Sequence, residues 1–216
     1  MFYSSPDNKG IHLDKKLNDI FKNKTNGFFI ELGGYDGITQ SNTCFFEKEL
    51  NWSGILIEPS INQYNKCKIN RPNSIVLNYA CVSDDYDKST ILIDNEEYLM
   101  TSIDGKRRNV NKENLVAVQT STLNKILSEY INDNQIIDFL SLDVEGYELE
   151  VLKGLNLQKY RPIYLLIEVY NTDYDNLVAY LLQNNYKLVC NFSNYNKLDN
   201  PVWDETHNDY LFTIIY

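Results

Sequence analysis

Two apolar runs fix the kind of sheet this chain can build. Residues 136–142 (IIDFLSL) and 163–169 (IYLLIEV) stay hydrophobic along nearly their whole length, with a helical pattern between them. A strand wetted on one face alternates apolar and polar residues. A strand without that alternation is covered on both faces, as in parallel sheets whose strands are joined by helices. The remaining pattern agrees. Segments 28–32, 54–57, 74–79, 90–93 and 116–120 read as strands, and helices fall around 41–50, 61–69 and 123–131. After the two apolar runs come helices to Leu152 and through Leu182, then strands at 186–192 and 210–216. There is no repeat, linker or second core, so 27–216 is one α/β domain. Residues 1–26 form an N-terminal helical extension or lid, with Ile11, Leu13, Leu17, Ile20 and Phe21 at helical spacing.

In such a sheet a ligand lies beyond the carboxyl ends of the strands. The first strand runs straight into Gly33, Gly34, Tyr35, Asp36 and Gly37, a turn that lets backbone approach closely. Four acids stand at strand ends: Glu31, Glu58, Asp143 and Glu168. Glu58 follows the turn at the distance where nucleotide-binding folds set a carboxylate on vicinal ribose hydroxyls. That suits NAD or S-adenosylmethionine. The turn separates them, because no register of its glycines gives GxGxxG, and GxxxxGK[ST] is absent throughout. The pattern is ExGxxxG, Glu31 to Gly37. An acid before the turn suits the amino group of a methionine moiety and repels a pyrophosphate. S-adenosylmethionine is the favoured cofactor.

The block GFFIELGGYDGITQSNTCFFEKELNWSGILIEP, with DFLSLDVEGYELEVLKG downstream, resembles the FkbM family of S-adenosylmethionine-dependent methyltransferases. The resemblance implies a Rossmann-like class I methyltransferase fold: a mostly parallel seven-stranded sheet, helices on both faces and an antiparallel last strand. It also implies O-methylation of a sugar, glycan or glycosylated small molecule. Carried over by position, Glu31, Gly33, Gly34 and Gly37 would hold the methionine end and Glu58 the ribose. Asp143, Glu145 and Gly146 would lie beside the transferred methyl, and Val82 to Asp84 would meet adenine. Tyr35 departs from the small residue or Asn that the family often has there, and it is expected to narrow the pocket.

Methyl transfer to a hydroxyl needs alignment and a route for a proton. Asp143 or Glu145 is the expected base, with His207 as a second candidate. Asp143, Glu168 and Asn171 are oxygen ligands of the kind Mg²⁺ prefers, so a divalent ion is a further expectation. Glu47, Trp52 and Cys81 read as packing. Two other functions compete: a methyltransferase fold kept only for binding, and an NAD-dependent sugar-nucleotide oxidoreductase. The latter lacks both GxGxxG and a TyrxxxLys pair, since Tyr147 is followed by Val151.

The 216 residues carry a formal charge of −10, a field that repels phosphate backbones and argues against nucleic acid as partner. The one basic cluster, Lys106 to Arg108, sits in a polar stretch, 95–115, that reads as a loop and a candidate acceptor lid. No apolar run is long enough to span a bilayer, and the N-terminus lacks a secretory pattern. The four cysteines form no CxxC pair and suit a reducing, cytoplasmic setting.

Overall fold

A computed structural model of the chain describes residues 3–5, 10, 12–94, 115–199, 201 and 203–215. The expected loop 95–115, with its basic cluster, therefore lies outside the described residues except for Leu115, which opens a strand.

Seven strands form the main sheet. In chain order they are β1 (Phe28–Leu32), β2 (Ser53–Ile57), β3 (Ile75–Leu77), β7 (Phe139–Leu142), β8 (Tyr164–Tyr170), β9 (Tyr186–Asn191) and β10 (His207–Ile214). Their spatial order is β3-β2-β1-β7-β8-β10-β9. The first five positions pair in parallel, and β10, the last strand in the chain, runs antiparallel between β8 and β9. This is the expected class I methyltransferase architecture, with strand order reversing between β1 and β7.

Helices cover both faces, as the unbroken apolar runs require. Ile30, Leu32, Ile57, Leu142 and Ile167 point into one core, against α4 (Leu123–Tyr130), α5 (Glu148–Lys153) and α6 (Tyr174–Gln183). Phe29, Leu56, Phe139 and Leu166 point into the other, against α1 (Leu13–Phe21), α2 (Cys44–Leu50) and α3 (Ile61–Asn70). The α1 residues Leu13 and Leu17 share that second core with Phe45, Phe46 and Trp52.

Two differences from expectation have local causes. The stretch 74–79 is not one strand. After β3, the Asn78 side chain donates to the carbonyls of Glu58 and Pro59 at 2.9 and 2.8 Å, and the chain leaves the sheet. The next strand, β4 (Ala80–Cys81), joins β5 (Thr90–Asp94) and β6 (Leu115–Ser121) in a separate three-stranded sheet. Likewise β7 begins at Phe139 rather than 136, because its partner β1 begins at Phe28. There the Asp138 carboxylate takes the Phe28 N–H at 3.0 Å, and Ile136 is left exposed.

The register places the site. Leu32 pairs with Ile57 on one side and Leu142 on the other, and Leu142 pairs with Ile167. The next position along each strand gives Glu58, Gly33, Asp143 and Glu168 as one row, and Asp209 of β10 stands opposite Glu168. Side chains alternate faces along a strand. This row therefore belongs to the face of Leu56 and Leu166, under α1 and α2.

Candidate active site

The same alternation sends Glu31 inward. It is one residue short of the strand end and shares a face with Phe29, so its carboxylate meets the helix layer. Its oxygens accept from the Ser41 hydroxyl, the Asn42 N–H and the Thr43 hydroxyl. Arg71, wholly buried, lies 3.5 Å from it and donates Nε to Glu47 at 2.7 Å. The same guanidinium reaches the Gly37 carbonyl, the Ser41 hydroxyl and the Thr43 hydroxyl. Glu31 lines neither cavity described below, and its expected place at the methionine amino group is corrected to this one. The carboxylate, with Arg71, shapes the loop that carries the turn.

The glycines answer to the protein itself. Gly33 has φ +80°, and a Cβ there would sit 1.8 Å from the Asp143 carbonyl oxygen. Gly37 has φ +81°, and a Cβ would fall 2.7 Å from Arg71 Cγ and 3.0 Å from Cys67 Sγ. The bare turn thus lets the ends of β1 and β7 close together and admits Arg71. Gly33 lines the first cavity; Gly34, packed on Leu56, and Gly37 do not.

That first cavity runs between the turn and β4. Tyr35, Glu58, Tyr79, Cys81 and Ile93 line it, and Asp143 and Glu145 close one end. Glu58 is buried, and its two oxygens take the N–H groups of Tyr35 and Ser60 at 2.9 and 2.8 Å. Each oxygen can accept a second bond. Burial, with a smaller push from Asp143, lifts its pKa to about 7. Tyr35 adopts φ +45°, uncommon for a residue with a Cβ, and it lines the cavity as its bulk suggested. Cys81 is an inert neighbour, its thiol pushed up to about 12 by burial. Val82 and Asp84, expected at adenine, lie outside. The lining at that level comes earlier in the chain, from Tyr79 to Cys81. The Val82 carbonyl instead faces Gly154, where a Cβ would approach to 2.1 Å.

A second cavity opens on the other side of the same acids. Asp143, Glu145, Glu168, His207 and Asp209 line it, with Ser5, Leu13, Gln40, Asn42 and Tyr195. Asp143 and Glu145 belong to both cavities. Carboxylate oxygens of Asp143, Glu145 and Glu168 lie within 4.8 Å of one another. Burial and the neighbouring acids Asp143, Glu145, Asp209 and Glu148 carry Glu168 well above the usual carboxylate range. Glu145 rises to about 8 through burial and then Glu148, and Asp209 to about 7 through burial and then Asp143. His207 Nε2 stands 3.3 Å from Glu168. Asn171 does not join them; it is exposed, donating its amide to the Glu205 carbonyl. In the trio of oxygen ligands its place is taken by Glu145.

The turn that aims Glu145 is pinned by a residue the sequence reading passed over. Glu148, in the first turn of α5, accepts the N–H groups of Val144 and Gly146 at 3.0 and 3.1 Å. Glu145 itself sits at φ +61°, and the Tyr170 hydroxyl donates to its carboxylate at 3.3 Å. Asp209 and Asn42 were also missed. Asp209 was legible, because the final strand reads HNDYLFTII and its acid is as close to the strand end as Glu168 is.

Comparison with known proteins identifies the family and the fold. A family model described as the methyltransferase FkbM domain matches residues 31–188. Among solved structures, the METTL16 MTase domain is similar with a TM-score of 0.52 at 14% identity, over 95% of this chain and 67% of that one. Aeropyrum pernix fibrillarin, in complex with natively bound S-adenosyl-L-methionine, gives 0.52 at 11% identity, over 92% and 74%. These likenesses are of fold. No curated protein matches the chain.

Proposed function

We propose, given that this chain belongs to the FkbM family of S-adenosylmethionine-dependent methyltransferases, that it methylates a hydroxyl of a sugar, glycan or glycosylated small molecule. The observation that carries the reading is the meeting of two cavities at Asp143 and Glu145. One suits a cofactor and the other an acceptor, with the shared acids at the point of transfer. The family also sets aside the oxidoreductase alternative.

The first cavity fits adenosine chemically. Glu58 offers oriented acceptor oxygens for ribose hydroxyls, and Ile57, Pro59, Ala80 and Ile93 offer apolar cover for a base. Asp143 favours positive charge beside it. The cofactor supplies an electrophilic methyl on a sulfonium. Positioning the acceptor against it provides most of the acceleration. In this reading Glu145 receives the hydroxyl proton at a carboxylate oxygen, and His207, held by Glu168, is the second candidate. Asp143, Glu145 and Glu168 also fit a Mg²⁺ ion as hard oxygen ligands, and that ion would lower the pKa of a bound hydroxyl.

The N-terminal segment supports a lid role, since Ser5 and Leu13 form one wall of the second cavity. Its strap is tied down by the Ser4 N–H to Asp14 at 2.7 Å and by the Ser4 hydroxyl to the Ser41 carbonyl at 2.6 Å. A net charge of −10 supports a small-molecule or glycan acceptor over nucleic acid. Four free cysteines support a cytoplasmic setting. Among the described residues no helix is long and apolar enough to cross a membrane.

The test is transfer of a labelled methyl from S-adenosylmethionine to a panel of sugars, with and without thorough chelation. Label on a sugar hydroxyl is the expected result. Protein that binds the cofactor yet labels nucleic acid or protein instead would overturn the acceptor class. Undiminished turnover after chelation would remove the ion.

A further inference from the structure

The second cavity has an inventory of polar groups that leans one way. Asp143, Glu145, Glu168 and Asp209 present carboxylates, and among the described residues no lysine or arginine lines it. Asn42 adds an independent sign. It is 8% exposed and lines the cavity; its Nδ2 donates to Ser141 and its backbone N–H to Glu31. Its Oδ1 is buried and has no hydrogen-bond partner among the described residues. A buried acceptor left so is costly, and it marks a place where a donor belongs.

Neutral sugar hydroxyls both donate and accept; Ser5, Gln40, Tyr195 and His207 offer donors here, but the four acids weight the cavity toward a donor of positive charge. An ammonium has three donors and no acceptor, and it carries the charge these carboxylates lack. Tyr195 lines the same cavity beside His207, their ring centroids 6.2 Å apart, and an aromatic ring attracts a cation. Lys16, whose charge reaches Asp209, donates its Nζ to the Phe192 carbonyl at 3.2 Å and does not line the cavity.

We infer that the acceptor carries a protonated amine, as in an amino sugar, held by Asp209, Asn42 and Tyr195 while a neighbouring hydroxyl faces Asp143 and Glu145. This rests on the reading above, that the second cavity takes the acceptor. It extends that reading, because a sugar acceptor alone requires no amine. Asp209 and Asn42 lie outside the trio that fits Mg²⁺, so the inference does not depend on that ion.

The experiment uses the full chain loaded with S-adenosylhomocysteine, whose binding is measured first. Glucosamine, galactosamine and mannosamine are then titrated in parallel with their N-acetylated forms. A charge-assisted hydrogen bond to a buried carboxylate predicts that at least one amine binds about ten-fold or more tightly than its acetylated partner. Asp209→Asn should abolish that preference. Should Asp209→Asn fail to fold, Tyr195→Leu, at the cavity wall, should weaken the amine and leave the acetylated sugar unchanged. Equal affinities within every pair, absence of amine binding, or a preference that survives these substitutions overturns the inference. Failure of the cofactor product to bind would instead strike the methyltransferase reading, so the two failures are told apart in one sample.

Discussion

Two groups of acids lie toward one end of the sheet, and the fold treats them oppositely. Glu31 and Glu47 close on the Arg71 guanidinium, with hydroxyls and backbone N–H groups filling their remaining positions. Glu145, Glu168 and Asp209 converge on a cavity that no described lysine or arginine lines. The first arrangement is satisfied within the chain and serves structure. The second is held at a cost in folding free energy, as functional sites commonly are. Glu31 and the row that holds Glu168 lie on the same face of the sheet, so a carboxylate's meaning depends on how far along its strand it stands, and two residues decide that.

The sharpest way to break the comparison is Arg71→Met, which leaves two buried carboxylates without their cation. We expect a loss of about 3–5 kcal/mol in equilibrium denaturation, the range for stripping one partner from a buried ion pair. A loss below about 1 kcal/mol would show that Glu31 and Glu47 need no partner. On the other side, Glu145→Gln should fold normally, bind S-adenosylmethionine and lose methyl transfer by about 10²- to 10⁴-fold. Retained transfer would remove Glu145 as the base.

Burial of acids around the two cavities also predicts a pH dependence. Burial raises the folded-state pKa of Glu58, Glu148 and Asp209 to about 7. Each therefore holds its proton more tightly folded than unfolded. The native state binds more protons between the unfolded values and about 7, so stability falls as pH rises through that window and levels off above it. In chelator-treated protein the drop from about pH 5 to about pH 8 should reach at least about 2 kcal/mol by urea denaturation. Asp209→Asn should shrink it. Stability that instead rises over this window would contradict the burial of these acids. The smallest effect belongs to the pair Lys24–Asp138, in which the aspartate is buried but the lysine is 46% exposed. Lys24→Ala should cost about 1 kcal/mol or less.

Much of this was legible in the sequence because apolar periodicity is a direct record of burial. The unbroken runs at β7 and β8 disclosed a sheet covered on both faces, and the acids after them marked its carboxyl end. Glu58 and Asp143 were read correctly as strand-end residues, and both line the first cavity. Glu31 was not, because strand-end proximity was weighed without its two-residue setback from the row of Gly33, Glu58 and Asp143, which leaves it under the helix layer. The split at Asn78 and the separate three-stranded sheet depend on side-chain hydrogen bonds to distant backbone, which no local pattern records. Arg71 was invisible for a similar reason. A lone arginine before a proline at a helix end gives no sign that it will be wholly buried 24 residues from its partner Glu47. The trio Asp143, Glu145 and Glu168 differs from the expected one because Asn171 lies beyond the row, in the turn after β8.

The central claim, that the first cavity is a cofactor site completed by Glu58, is tested most directly by isothermal titration of chelator-treated protein with S-adenosylmethionine, with NAD as control and Glu58→Ala alongside. The account predicts saturable binding of S-adenosylmethionine, none of NAD, and a loss of about ten-fold or more in Glu58→Ala, as befits removal of a carboxylate that accepts ribose hydroxyls. Folded protein that binds no S-adenosylmethionine, or binds it equally well without the Glu58 carboxylate, would contradict it.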